Sequence, residues 1–188
     1  MLRVVIMGPP GSGKGTQAVR LARRLGVTAV STGQIFREQV KLGTPLGQEV
    51  TAHLDAGNLV PDSLTNEMVR ERLNREDLSA GFILDGYPRN IAQVSELEDI
   101  LTSCGRRLDA ALLLTVDDDE LIRRMLMRAA VDRRSDDTED IMRHRLALYY
   151  RETEPIVSLY LNSGILLNVD GTGTEEEVFL RSVQALNK

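Results

Sequence analysis

Short apolar runs alternate along this chain with longer stretches in which apolar positions recur every three or four residues. The short runs, Leu2–Met7, Val27–Ser31, Gly81–Asp85, Ala110–Val116 and Ile165–Val169, read as buried strands. No two-residue hairpin signal joins any two of them, and helical stretches such as Gln17–Leu25 intervene. Strands separated by helices pair in parallel and are covered on both faces. The predicted class is therefore α/β, a doubly wound three-layer fold around a five-stranded parallel sheet.

Two intervals are too long to be simple crossovers. Between Gly33 and Asn74 three helical pieces are predicted, near 34–42, 46–56 and 62–74. The segments Lys41-Leu-Gly-Thr-Pro45 and Ala56-Gly-Asn-Leu-Val-Pro61 stop and restart them. This reads as an inserted helical subdomain. The second interval, Arg128 to Asp140, is highly charged without apolar periodicity and predicts a short mobile loop joining two helices. Pro155 should bend or restart the helix that begins near Thr138.

Composition narrows the function classes. The 188 residues suit one domain with excursions, and 42% hydrophobic with 27% charged residues is the balance of a soluble globular chain. No apolar run approaches the roughly 18 residues needed to cross a bilayer, and the first residues enter a strand without a leader pattern, so a cytoplasmic protein is expected. A net charge of −5 argues against a general nucleic-acid binder. Twenty arginines accompany only three lysines, Lys14, Lys41 and Lys188, an excess read for the most part as codon bias. Arginine nevertheless suits bidentate phosphate binding wherever a motif places it. Cys104, the single cysteine, can form neither an internal disulfide nor a cysteine-based zinc site.

The strongest chemical signal is Gly8-Pro-Pro-Gly-Ser-Gly-Lys-Gly-Thr16, set between a strand and a helix. Glycines let successive N–H groups turn around phosphate oxygens, the helix N-terminus adds its dipole, and Lys14 supplies a point charge. Gly15 separates the lysine from Thr16, one residue off the usual P-loop spacing, which leaves the hydroxyl's role toward magnesium open. The strand Phe82-Ile-Leu-Asp85 ends in a carboxylate; alone it reads as a turn residue, beside a P-loop as a group facing Mg2+ through water. Gly86-Tyr-Pro-Arg89 follows at the sheet edge where open α/β folds bind ligands.

These segments, with Ser31-Thr-Gly-Gln-Ile-Phe-Arg37, Ala56-Gly-Asn-Leu-Val60, Gln93, Arg134-Ser-Asp-Asp137, Arg145 and Val169-Asp-Gly-Thr-Gly173, occur in the order seen in adenylate kinases, and the resemblance spans essentially the whole chain. It implies reversible transfer of the terminal phosphoryl group of magnesium ATP to AMP, giving two ADP. It places Gly11, Ser12, Gly13, Lys14, Gly15 and Thr16 around the ATP phosphates, Arg128 over the ATP and the Gly173 backbone at its adenine. Around AMP it places Thr32, Arg37, the backbone of Asn58, Leu59 and Val60, then Gly86, Tyr87, Pro88, Arg89 and Gln93. Arg134 and Arg145 would reach in from the lid and the following helix. The transferring group would thus meet Lys14, Arg89, Arg128, Arg134 and Arg145. Arg124, four residues before Arg128, would support the phosphate site. The implied organisation is a core of 1–30, 61–127 and 140–188, an AMP-binding insertion of 31–60, and a short lid over about 128–139, the two excursions closing over the nucleotides. A monomer is implied, with ATP, AMP and ADP as partners.

Physical reasoning points the same way: two polyanions must approach, so positive donors surround the transferring group, and the acceptor phosphate needs no general base. His53 and His144 are accordingly read as surface or packing residues. Two features depart from, or vary within, the family pattern. Gln34 stands where the family usually has Asp, which implies a weaker hold on the waters around magnesium. The lid is the short form, so no structural zinc is expected. Rival readings are a UMP/CMP kinase sharing the same phosphate machinery, or a nucleotide-binding switch without transfer. Thr32 and Gln93 favour adenine over the pyrimidine relatives, and the chain has no Asn-Lys-x-Asp guanine-reading motif.

Overall fold

The computed structural model describes the backbone of residues 1–132 and 138–187, and the side chains of all of these but 128–132. Strands β1 (Leu2–Met7), β2 (Thr28–Ser31), β3 (Gly81–Asp85), β4 (Ala110–Thr115) and β5 (Leu166–Asp170) form one parallel sheet in the order β2-β3-β1-β4-β5. The α/β expectation holds, with strand ends within a residue of those read from the apolar runs. Successive side chains alternate between faces. Val5, Phe82, Leu84, Ala111 and Leu113 join one core, whereas Val4, Ile6, Ile83, Leu112 and Leu114 join the other. Leu112 and Leu114 are wholly buried, and truncating either to Ala should cost about 2–5 kcal/mol.

Helices α1 (Lys14–Leu25) and α9 (Glu175–Leu186) cover the second face. Ala18, Leu21 and Ala22 of α1 and Val178 of α9 supply the buried stripe. The first face is covered by α4 (Asp62–Leu73), α5 (Ile91–Ser103) and α8 (Pro155–Asn162), through residues such as Val69, Leu97 and Ile156. Between β2 and α4 lie α2 (Thr32–Leu42) and α3 (Pro45–Asp55), the helical excursion expected there. Ser31 and Thr44 cap these helices by accepting the N–H of Gln34 and Gly47. Phe36 and Val50 tie the pair to the first core.

Two boundaries differ from the sequence reading. α1 begins at Lys14, not Gln17, because the P-loop residues form its first turn without belonging to its apolar stripe. The charged interval from Arg128 is helical at both ends: α6 (Asp118–Asp132) continues into it and α7 (Glu139–Leu148) begins within it, capped by Thr138. Charged residues leave no apolar period in the sequence without preventing a helix. Residues 133–137, and with them the centre of the expected lid and Arg134, lie outside the described residues. After α7 the chain makes a π turn over Tyr149–Thr153, and Pro155 opens α8, the restart predicted from its ring.

Candidate active site

All five strands point their C-terminal ends to one edge of the sheet, and there a cleft of about 640 Å³ opens between the β1–α1 loop, the helical excursion and α7. Its size falls within the range of about 300–1,000 Å³ usual for ligand sites. Gly11, Gly13, Lys14, Gly15 and Thr16 line one end. Gly11 adopts φ +85°, and a Cβ there would sit 2.8 Å from the Leu121 carbonyl and 3.0 Å from Met125 Cγ, so only glycine lets the loop pass α6 this closely. No side chain caps the start of α1 at Gly13, and its first-turn N–H groups and dipole make this end an anion site. Lys14 Nζ donates to the carbonyls of Gly8 at 2.7 Å and Pro9 at 2.8 Å, closing the loop upon itself. Ser12 is buried beneath the loop with its hydroxyl unpartnered, and so supports the wall instead of lining it.

Facing this end across Asp85 stands a group of arginines. Arg37, Arg89 and Arg145 all line the cleft. Arg37 folds back over the start of its own helix, its Nη1 3.2 Å from the position of a Gly33 Cβ. Arg89 Nε donates to the Gly86 carbonyl at 2.8 Å, and the Arg89 carbonyl accepts the Thr153 hydroxyl at 2.8 Å, so its backbone and side chain are both fixed. Burial pulls the Arg89 guanidinium below its usual range, with the charges of Arg145 and then Arg37 adding to the effect and Asp85 opposing it. An anion entering among these groups relieves that stress.

Asp85 Oδ2 accepts the Ser31 hydroxyl at 3.4 Å and lies 3.5 Å from the position a Gly15 Cβ would take. The carboxylate therefore stands over the phosphate loop. Among the described residues no three His, Cys, Asp or Glu side chains converge as a metal cage. One carboxylate beside a phosphate loop fits a hydrated Mg2+ carried by the phosphates themselves. Gln34 also lines the cleft, and its Nε2 donates to Glu38 Oε1 at 2.9 Å.

An inner recess adjoins the arginines, lined by Thr32, Phe36, Asn58, Leu59, Val60 and Gln93 among others. Thr32 is buried and its hydroxyl donates to the Asp85 carbonyl at 3.5 Å. Tyr87 is buried too, its hydroxyl donating to Asn66 Oδ1 at 2.8 Å, while Pro88 and Gly86 form the rim. The loop after α3 lies against α7: a Cβ on Gly57 would fall 2.7 Å from Ile141 Cγ2 and 3.0 Å from Arg145 Cγ. Beside it His144 Nε2 meets Asn58 Oδ1 at 2.7 Å.

Among the described residues the sequence-predicted ones gather around the cleft and its recess, apart from Ser12, buried beneath the loop, and Gly173. Gly173 lines neither recess; its carbonyl accepts from Arg124 Nη2 at 3.4 Å. Arg124, expected to support the phosphate site, lines the cleft, pairs with Glu120 at 2.6 Å and donates to the Gly171 carbonyl at 2.9 Å, so it also braces the β5–α9 loop. Arg134 and the side chain of Arg128 lie outside the described residues. Asp62, Asn90 and Thr153 were not singled out by sequence reasoning, because each acts on another site residue and carries no motif of its own; Ser31 was read only as the start of the Ser-Thr-Gly motif, and His144 was set aside as a surface or packing residue.

The parallel sheet, the glycine loop closed by a lysine at a helix start and the arginines facing it define a P-loop nucleotide-binding protein equipped for phosphoryl transfer. The family model described as adenylate kinase matches residues 6–165, and the chain belongs to that family. It is 56% identical to an adenylate kinase of Kocuria rhizophila over the full length of both chains. It is 55% identical to one of Renibacterium salmoninarum, covering 100% of this chain and 97% of that one. It is 51% identical to one of Thermobifida fusca, covering 98% of each.

Proposed function

We propose that this chain catalyses the reversible transfer of the terminal phosphoryl group of ATP to AMP, giving two ADP. The observation that carries the reading is the opposition, in one cleft, of the Lys14 loop to Arg37, Arg89 and Arg145 across Asp85. The loop end takes the donor triphosphate on the N–H groups of Gly11 to Thr16. The arginine end takes the acceptor phosphate, with its nucleoside directed to the recess of Thr32, Asn58, Leu59, Val60 and Gln93. Held this way the acceptor oxygen and the transferring phosphorus lie in line, and no group need remove a proton because the acceptor phosphate is already an anion. Lys14, Arg89 and Arg145 then balance the charge spread over the transferring oxygens, and their fixed placement costs no reorganisation during the step. Asp85 would hold, through water, an Mg2+ brought in with the ATP, and that ion would supply neutralisation of phosphate charge. Arg128 and Arg134 take the further phosphate contacts that the family pattern assigns. Residues 31–60 form the AMP-binding insertion. The same reading makes the chain a cytoplasmic monomer acting on free nucleotides; no helix among the described residues is long and apolar enough to cross a membrane.

The test is coupled ADP production with magnesium ATP and each of AMP, GMP, CMP and UMP. Turnover with AMP, abolished by Lys14→Ala, is expected. Preference for a pyrimidine acceptor would keep the mechanism and overturn the acceptor, while ATP binding without transfer to any of the four would leave a nucleotide-binding switch.

A further inference from the structure

Gln93 is 2% exposed and lines the inner recess, yet its amide is already held at both ends. Its Oε1 accepts the backbone N–H of Arg89 at 2.8 Å, and its Nε2 donates to Asp62 Oδ1 at 2.6 Å. The Asp62 carboxylate in turn accepts Asn90 Nδ2 at 3.1 and 3.0 Å on its two oxygens, and Asn90 Oδ1 accepts the Gln93 N–H at 2.9 Å. Asp62 opens α4 and Asn90 caps α5, so the arrangement is fixed to two helix starts.

The oxygen and nitrogen of a glutamine amide occupy nearly the same space, and an unrestrained amide can turn over to suit its ligand. Here it cannot. A backbone N–H only donates and an ionised carboxylate only accepts. Turning the amide over would set its NH₂ against the Arg89 N–H and its carbonyl against the Asp62 carboxylate. Of two hydrogens and two lone pairs, one of each is used. One hydrogen and one lone pair remain, in a fixed order along the wall of the recess.

The order matters because two purine classes present opposite patterns on the same edge. A 6-aminopurine offers an amino donor beside a ring-nitrogen acceptor; a 6-oxopurine offers a carbonyl acceptor beside a ring N–H donor. A freely turning amide would accept either, whereas a locked one matches one class and opposes donor to donor in the other. We propose that Asp62 is a specificity-positioning residue: by locking the orientation of the Gln93 amide, it selects a 6-aminopurine acceptor over a 6-oxopurine one. This rests on the reading of the recess as the acceptor site.

The experiment compares kcat/KM for AMP, IMP and GMP in the wild type, in Asp62→Asn, which nearly keeps the shape while offering both donor and acceptor, and in Asp62→Ala. The wild type should favour AMP strongly, and the variants should narrow the AMP-to-IMP ratio about tenfold or more. A role in stability alone would lower activity with all three nucleotides together and leave the ratio where it was; that result overturns the proposal, as does a wild type that accepts AMP and IMP equally. Should the variants fold poorly, side-chain amide NMR of the wild type decides instead. A locked amide shows one Gln93 side-chain hydrogen strongly protected from exchange in the absence of nucleotide, and two rapidly exchanging hydrogens would sink the lock. A wild type inactive with AMP but active with another monophosphate would overturn the acceptor reading itself, whatever Asp62 does.

Discussion

The end of the cleft proposed for the donor is one uninterrupted stretch, Gly8–Thr16, running from β1 into α1. The end proposed for the acceptor draws Thr32 from the start of α2, Asn58 from the loop after α3, Arg89 from the β3–α5 turn, Gln93 from the first turn of α5, and Arg145 from α7. The first is mainly backbone, shaped by glycine geometry and closed by its own lysine. The second is mainly side chain, and each member is set by a neighbour: Gln93 by Asp62, Arg89 by Thr153 and Gly86, Asn58 by His144. Phosphates are common to all nucleotides, and a loop of N–H groups suffices to hold them. Choosing a base and aligning an acceptor need groups from several elements, so accuracy at this end depends on how those elements pack.

The largest expected effect tests where the two ends meet. Arg89→Ala or Arg145→Ala should lower turnover by about 10³–10⁵, on the scale of arginines that stabilise phosphoryl-transfer transition states. Circular dichroism and melting should remain those of the wild type; near-normal turnover in a folded variant would remove that residue from the transfer step. The contrast between the ends sharpens with His144, dismissed from sequence as a surface or packing residue. Its contact with Asn58 joins α7 to the acceptor loop. His144→Ala should raise the KM for AMP roughly three- to tenfold while leaving kcat and the KM for ATP nearly unchanged, and His144→Gln should restore much of the loss. Equal changes for both nucleotides would break the assignment of this contact to one end.

The smallest effect concerns Glu120, which braces the β5–α9 loop through Arg124. Hydrogen bonds from Arg123 and Arg124 hold its carboxyl at about 2, against an ordinary 4.5. A carboxylate depressed in the folded state stabilises the fold fully above its unfolded value. The contribution of Glu120 is therefore present above about pH 4.5 and lost as pH falls toward about 2. Its carboxyl resonance should titrate with a midpoint near 2, and a midpoint at 4.5 would show that the ion pairs do not persist in solution. Because Arg123 is exposed and Glu120 and Arg124 are only half-buried, Glu120→Gln should barely alter melting, and any change in nucleotide affinity should be for ATP.

The five strands, their parallel pairing and the helices between β2 and β3 were legible because burial on two faces and turn chemistry leave local signatures in apolar runs, glycines and prolines. The P-loop was legible for the same reason, since its residues are consecutive. The arginines of the acceptor end were legible only as members of a family pattern, and nothing local in the chain brings Arg37, Arg89 and Arg145 to one cleft. The course of α6 past Arg128 was hidden because a stretch rich in charged residues carries no apolar period in the sequence.

The sequence by itself determined the sheet, the phosphate loop and the kind of chemistry, since these follow from spacings of a few residues and from what glycine, lysine and apolar side chains can do locally. Tertiary structure alone decided how the Gln93 amide is oriented, that Asn58 rests on His144, and that Arg124 braces the β5–α9 loop. Those outcomes depend on groups far apart in the chain meeting within 3.4 Å, which is fixed only when the helices pack.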